Sequence, residues 1–265
     1  MRVGLITPDA GHPLLAATAA LLAPGHEVRV LDPGAGPAAA AGARADVYLL
    51  KARTPSALAL ARELERLGAS VLNSAAATER CQDRTGMAEL ALRAGLPFAA
   101  TRTYASLAGL GAEVRPGRPV VVKSRLSRKH DLVARVDGPG ELRALAAAGW
   151  EREPVVVQPF APNDGWDHKL WVIGDRVFAG LRRSELAVGG KEPARPLGPL
   201  PDGWAELALE VGAVFSLDVY GVDVIATDGG GPLIVDVNAF PGIRGQSGAP
   251  EALAALALSR AGRPV

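Results

Sequence analysis

The stretch 220-YGVDVIATDGGGPLIVDVNAFPG-242 reads as two apolar strands joined by a glycine-rich turn at Asp228 to Gly231. Side chains alternate between faces along a strand, so Asp236 and Asn238, two apart, share one face. Folding the hairpin about residue 229 brings Asp223 opposite that pair. Three oxygen donors then converge at one end of a sheet. Hard oxygen ligands of this kind suit Mg²⁺, which takes one or two carboxylates together with phosphate oxygens and water. The competing reading is a wet face of ordinary polar residues. The apolar flanks (Val222, Val224, Val235, Val237) and the tight Asn-Ala-Phe-Pro-Gly ending weigh against it.

Working outward, 204-WAELALEVGAVFSL-217 is a helix, 250-PEALAALALSRAG-262 a closing helix, and 170-LWVIGDRVFAGLRRSEL-186 a long hairpin turning at Gly174-Asp175. A loose Gly/Pro-rich loop covers 188–203. Further upstream, PVVVKSR, DLVARVD and PVVVQPF are strands, with the helix PGELRALAAAG before the last, and together they make a small antiparallel unit. Over the first hundred residues, strands (MRVGLIT, HEVRVLDPG, DVYLLKAR, SVLNS) alternate with helical segments at 13–23 and after Thr54-Pro55. That alternation predicts a parallel sheet flanked by helices. Residues 76–104 read as a helix stopped at Gly95, followed by an extended exit.

Bulk numbers narrow the function classes. The 265 residues carry a formal net charge of +1, which argues against wholesale binding to nucleic acid or membrane but leaves room for a local basic site. Apolar stretches such as 14–25 are too short to span a bilayer. One cysteine, Cys81, excludes an internal disulfide and fits a reducing cytoplasm. It reads as a packing residue, and no Cys/His spacing fits zinc.

Lys123 ends a run of three valines, where a lysine can hold a phosphate as a point charge. A lone lysine more often packs its stem and wets its head. Gln158, ending a second valine run, decides for the first reading: an apolar cleft with a polar edge suits an adenine.

The order Asp83-Arg84, VVVK, VVVQPF, KLWVIGD, GVDV, VDVNAFPG resembles the ATP-grasp superfamily along the whole chain, most specifically in its C-terminal half. Two branches are close: RimK-type and glutathione-synthetase-like ligases, and inositol tris/tetrakisphosphate kinases. The resemblance implies an α/β chain, α+β in its C-terminal half, with a Rossmann-like unit at 1–104, a small central lid at 105–160 and a C-terminal unit at 161–265. It implies ATP and Mg²⁺ as cofactors. Arg84, Lys123, Gln158 and the backbone of Phe160 and Ala161 would bind ATP, and Asp223, Asp236 and Asn238 would hold Mg²⁺. Lys169 with Arg182 or Arg183 would face the transferred phosphoryl group.

Two departures bear on the branch. The ligases usually end in Glu-x-Asn, whereas this chain has Asp236-Val237-Asn238, as the kinases do. The ligases usually carry a Gly-rich loop between the central strands, whereas this chain has 124-SRLSRKH-130. That turn, with Arg125, Arg128, Lys129 and His130, is expected to close over a triphosphate or to recruit an anionic second substrate, because a bound anion would relieve its repulsion. His130 matches a kinase position that meets polyphosphate, and Arg244 is a further candidate for substrate contact. The expected reaction is ATP-dependent joining of a carboxylate to an amine of an amino acid or peptide through an acylphosphate. The alternative is phosphorylation of an inositol phosphate or similar hydroxyl. His168, Trp166 and Trp171 read as packing or rim residues, and Asp175 as a turn residue. The short 188–203 loop favours an open acceptor pocket that admits a peptide.

Overall fold

The computed structural model describes residues 1–35, 44–111, 114–115, 117–187, 195–197 and 199–261. Four short apolar strands, β1 (Arg2–Ile6), β2 (Glu27–Leu31), β3 (Val47–Leu50) and β4 (Ser70–Leu72), form a parallel sheet in the order β2-β1-β3-β4. The helix α1 (Pro13–Leu22) starts on a proline, as does α2 (Pro55–Arg66). Proline suits a first helical turn because its missing N–H would be unpaired there anyway. Thr54 caps α2 by accepting from the Ala57 N–H. Apolar side chains of α2 cover one face of the sheet, and α1 with the closing helix covers the other.

Where one helix is expected over 76–94, the chain makes two, α3 (Ala75–Arg80) and α4 (Arg84–Arg93). The break has a local cause. Asp83 accepts from the Thr85 N–H and so starts a new helix. This sets Arg84 at the head of α4, aimed inward.

A second sheet, antiparallel, has the order β5-β8-β6-β7, with β5 (Arg102–Tyr104), β6 (Val120–Ser124), β7 (Val133–Val136) and β8 (Val155–Pro159). Its valines pack with Leu107, Leu110 and Leu132 in a core of their own, flanked by α5 (Pro139–Leu145). The third sheet, β11-β10-β9-β12-β13, is antiparallel, with β9 (Trp166–Ile173), β10 (Arg176–Arg183), β11 (Arg195–Pro196), β12 (Val219–Ala226) and β13 (Pro232–Ala239). The two-residue β11 falls inside the segment expected to be loop, of which 188–194 and 198 lie outside the described residues. One face of this sheet packs on α4 and on α6 (Trp204–Phe215), with Leu170, Val172, Val222, Val224 and Val237 buried. The other face is the floor of a cleft. The closing helix α7 (Ala249–Arg260) joins the first and third sheets through a shared core that includes Leu5, Ile173, Val219 and Leu253. Asn73 ties them further: its amide donates to the Val219 carbonyl (2.6 Å) and accepts from the Asp218 and Val219 N–H groups (2.7 and 2.9 Å).

Candidate active site

Asp223 on β12 pairs directly with Asp236 on β13, and two residues on Asn238 lies on the same face. Immediately beyond Asp223 the ladder slips: Val224 faces Ile234, so Val235 is an extra residue. A bulge of this kind leaves one residue out of the ladder and turns its side chain. Val235 therefore lines the cleft, while its expected companions Val222, Val224 and Val237 are buried beneath the sheet. The bulged carbonyl has a partner from another sheet, the Lys123 ammonium at 2.7 Å.

A cleft of about 540 Å³ lies between the central and C-terminal sheets, a size suited to a nucleotide-sized ligand. Its wall includes Arg84, Lys123, Gln158, Phe160, Ala161, Lys169, Arg182, Arg183, Asp223, Asp236 and Asn238. These are the expected ATP, metal and phosphoryl-facing positions, drawn from separate parts of the chain. Arg84 is nearly buried and joins three elements, through the Ser124 carbonyl (2.9 Å), Asp131 (2.6 Å) and Asp236 (3.2 Å). Lys169 pairs with Asp223 at 2.6 Å and stands 3.7 Å from Asp167.

The two facing carboxylates are driven apart in acidity. Burial raises the Asp223 pKa, Lys169 opposes the rise and the neighbouring Asp236 charge adds to it, leaving it above the ordinary value. Burial also pushes Asp236 up, but Arg84 and Lys123 outweigh it and hold this carboxyl below its ordinary range. For Lys123 burial wins over the Asp236 attraction, so its pKa is lowered. Asp236 Oδ1 is buried and has no hydrogen-bond partner. An orphaned anionic oxygen beside a second carboxylate and an amide oxygen fits a hard divalent cation.

The other end of the cleft is shaped by Pro119. The Phe160 N–H donates to the Pro119 carbonyl (3.0 Å), and an antiparallel pair of this type normally returns a second bond. Proline has no N–H to return, so the Phe160 carbonyl keeps acceptor capacity at the cleft wall. Gln158 donates to Thr101 Oγ1 (3.0 Å), and the Arg135 guanidinium lies 4.1 Å over the Phe160 ring.

The basic turn differs from expectation. Arg125 pairs with Asp83 (2.7 Å) and Arg128 with Glu153 (2.8 Å). The repulsion is thus offset by the protein's own carboxylates. Arg128 lines the cleft; Arg125, Lys129, His130 and Arg244 are not part of its described wall. Arg182 pairs with Glu185, while Arg183 lies over Trp166 (5.6 Å) and reaches the Asp164 carbonyl (3.3 Å). His168 is a packing residue, edge-on to Trp204. Arg53, Asp131, Asp167 and Arg135 also line the cleft and escaped the sequence reading. Asp131 had a visible signal, as the acid that closes the basic run. Arg53 had none.

Residues 97–255 match the RimK-like ATP-grasp domain. The chain belongs to the RimK-like ATP-grasp family. Among curated relatives, it is 30% identical over 208 residues to a probable alpha-L-glutamate ligase of Thioalkalivibrio sulfidiphilus (71% of this chain, 65% of that one). It is 29% identical over 200 residues to probable alpha-L-glutamate ligase 2 of Hahella chejuensis (71% and 64%), and 28% over 204 residues to the ribosomal protein bS6–L-glutamate ligase of Escherichia coli (69% and 64%). The chain spans just under two thirds of the length of these relatives. Its fold matches that of a RimK domain ATP-grasp protein from Sphaerobacter thermophilus (TM-score 0.79, 24% identity, 97% of this chain and 100% of that one). It also matches the ATP-grasp ligase PsnB complexed with a precursor variant, Mg and ADP (TM-score 0.69, 20% identity, 98% of each). The RimK-like fold accounts for the three sheets: parallel at the N-terminus, antiparallel in the centre and at the C-terminus. Among the described residues no helix is long and apolar enough to cross a membrane.

Proposed function

We propose that this RimK-like protein is an ATP- and Mg²⁺-dependent ligase that joins a carboxylate to the amine of an amino acid or peptide. The observation that carries the reading is the facing pair Asp223 and Asp236 on the cleft floor, ringed by Arg84, Lys123 and Lys169. In this reading the Phe160 carbonyl would accept from the adenine amine, Val121, Ile225 and Leu233 would offer apolar surface to its ring, and Lys123 would meet the phosphates. Asp223, Asp236 and Asn238 would hold Mg²⁺, which would supply charge neutralisation for the phosphates of ATP. The unit 105–160, whose sheet is completed by the strand Arg102–Tyr104, would act as a lid over the catalytic floor supplied by 161–265.

The substrate carboxylate attacks the γ-phosphorus; the bond to the β-phosphate oxygen breaks, and ADP departs. Lys169, with Arg182 or Arg183, offsets the charge that spreads over the equatorial oxygens. The amine nitrogen then attacks the acyl carbon, phosphate leaves, and the amine gives up a proton. A free buried thiol at Cys81 suits a cytoplasmic setting. The hydroxyl-kinase alternative loses support from His130, which is exposed, in a left-handed conformation (φ 60°), and absent from the cleft wall.

The test is product analysis by mass spectrometry from ATP, Mg²⁺ and a panel of amino acids, short peptides and inositol phosphates. A condensed product with loss of water, plus ADP and free phosphate, is expected. A phosphoryl group gained by an acceptor, with no free phosphate, would overturn the ligase reading.

A further inference from the structure

On the central sheet, three strands line up a row of side chains that faces the cleft. Val121 on β6 pairs with Arg135 on β7 and with Gln158 on β8, and all three belong to the cleft wall. Their chain neighbours Val120, Val122, Ala134, Val136 and Val157 point the other way, into the core of this sheet. The next row toward the basic turn, two residues on, brings Lys123 and Val133 to the wall. A strand rises about 3.3 Å per residue, so the two rows stand roughly 7 Å apart. Lys123 is placed for phosphates. Arg135 is thus a second cation, set away from that row and beside Phe160.

The Arg135 side chain is held in place from two sides. Its guanidinium lies 4.1 Å from the centroid of the Phe160 ring, well inside the reach of a cation–π contact. Nε and Nη2 both donate to Asp137 Oδ1, at 2.9 and 2.7 Å. The side chain is still 33% exposed, so a ligand entering the cleft can reach it. Residue type matters at such a position. The guanidinium is planar and weakly hydrated and stacks on π faces, whereas an ammonium is a compact, strongly hydrated point charge. Gln158, the other polar side chain of the row, has its amide nitrogen committed to Thr101 Oγ1. Arg135 is therefore the donor that this row offers to a ligand.

We propose that Arg135, carried on the Phe160 ring, selects the base of the bound nucleotide by stacking against a purine. The inference rests on the placement of the base beside Phe160 in the reading above and adds the residue that chooses it. It is independent of which group accepts the phosphoryl. A purine offers the guanidinium two fused rings where a pyrimidine offers one, so contact area and cation–π attraction both favour adenine over cytosine.

Calorimetric titration of the full chain with Mg²⁺ present tests it, with ADP, CDP and inorganic pyrophosphate as the probes. Wild type is expected to bind ADP more tightly than CDP. Arg135→Gln, which removes the charge, should weaken ADP about three- to tenfold, the range of a partly desolvated cation–π contact. Arg135→Lys, which keeps the charge and loses the plane, should recover only part of that loss. CDP should lose less than ADP, so the ADP-to-CDP preference should fall. Pyrophosphate affinity should be unchanged, which also shows that the variants fold. An equal loss for all three probes would make Arg135 a phosphate contact and overturn the proposal. So would a preference untouched in Arg135→Gln, or equal binding of ADP and CDP by wild type. Binding of none of the three by wild type overturns the nucleotide placement together with the proposal. A purine preference that depends on Arg135, in a protein that yields no condensed product, overturns the ligase reading alone.

Discussion

Replacing Arg84 by methionine keeps most of the stem's volume and removes the group that links α4 to the central and C-terminal sheets. The guanidinium meets Asp131, Asp236 and the Ser124 carbonyl, and the carboxylate side chains are only 13% and 14% exposed. Removing one partner of a buried ion pair costs roughly 3–5 kcal/mol, because the other charge stays buried and unmatched. Lys123 still faces Asp236, so the lower end, about 3 kcal/mol, is expected. Adding Asp131→Asn should return about 1–3 kcal/mol, the usual cost of leaving a buried polar group unsatisfied. Urea unfolding gives the numbers, as a lower midpoint with unchanged slope. Asp236 has its pKa depressed in the folded state, below the ordinary 3.8. Its contribution is therefore present above that value and is lost as pH falls through the folded pKa. The gap between wild type and Arg84→Met should shrink on acidification below about pH 4. A loss under about 1 kcal/mol, the range of an exposed pair, or a double variant no more stable than the single one, would refute the reasoning.

Asp236→Asn removes the carboxylate with the orphaned oxygen; ADP release should fall at least about a hundredfold, on the order expected for a lost charge-stabilising group, and turnover within threefold of wild type would contradict the metal assignment. Pro119→Ala supplies the N–H that the Phe160 carbonyl lacks; ATP affinity by calorimetry should drop about two- to tenfold, equivalent to one hydrogen bond, whereas the affinity for inorganic triphosphate should be unaffected. Cys81 is buried, and burial, with Asp236 adding to it, pushes its thiol up to about 12; an aromatic disulfide reagent at pH 8 should leave the native protein unreacted and titrate one thiol in urea. Fast native reaction would contradict the packing seen at α3.

The strands and the facing aspartates Asp223 and Asp236 were legible because periodicity is local. Asp223, Asp236 and Asn238 needed only the two-residue repeat and a turn, and Lys123 only the end of a valine run. The pairing of the basic turn was not legible, since Asp83 lies 42 residues from Arg125 and no spacing rule connects them. A cluster read as unbalanced from its own seven residues was balanced from elsewhere. The bulge at Val235 was hidden for a different reason: an extra residue in a ladder alters no composition. The helix break before Arg84 carried an unused sign, the Asp83 side chain capping its neighbour two residues on. Arg53 could not be placed on the cleft before the N-terminal sheet was docked beside the C-terminal one.

The central sheet keeps an apolar core that shares no residue with the other three clusters. Its links across the cleft are polar: Lys123 to the Val235 carbonyl, the Ser124 carbonyl to Arg84, Arg125 to Asp83, and the Ser127 N–H to the Gln82 carbonyl. Parting it from the floor therefore wets hydrogen bonds and charges rather than oil. Such an opening carries little heat-capacity change and responds to ionic strength more than to temperature. Salt in the medium, and the charge of whatever occupies the cleft, would then be the handles on any such opening.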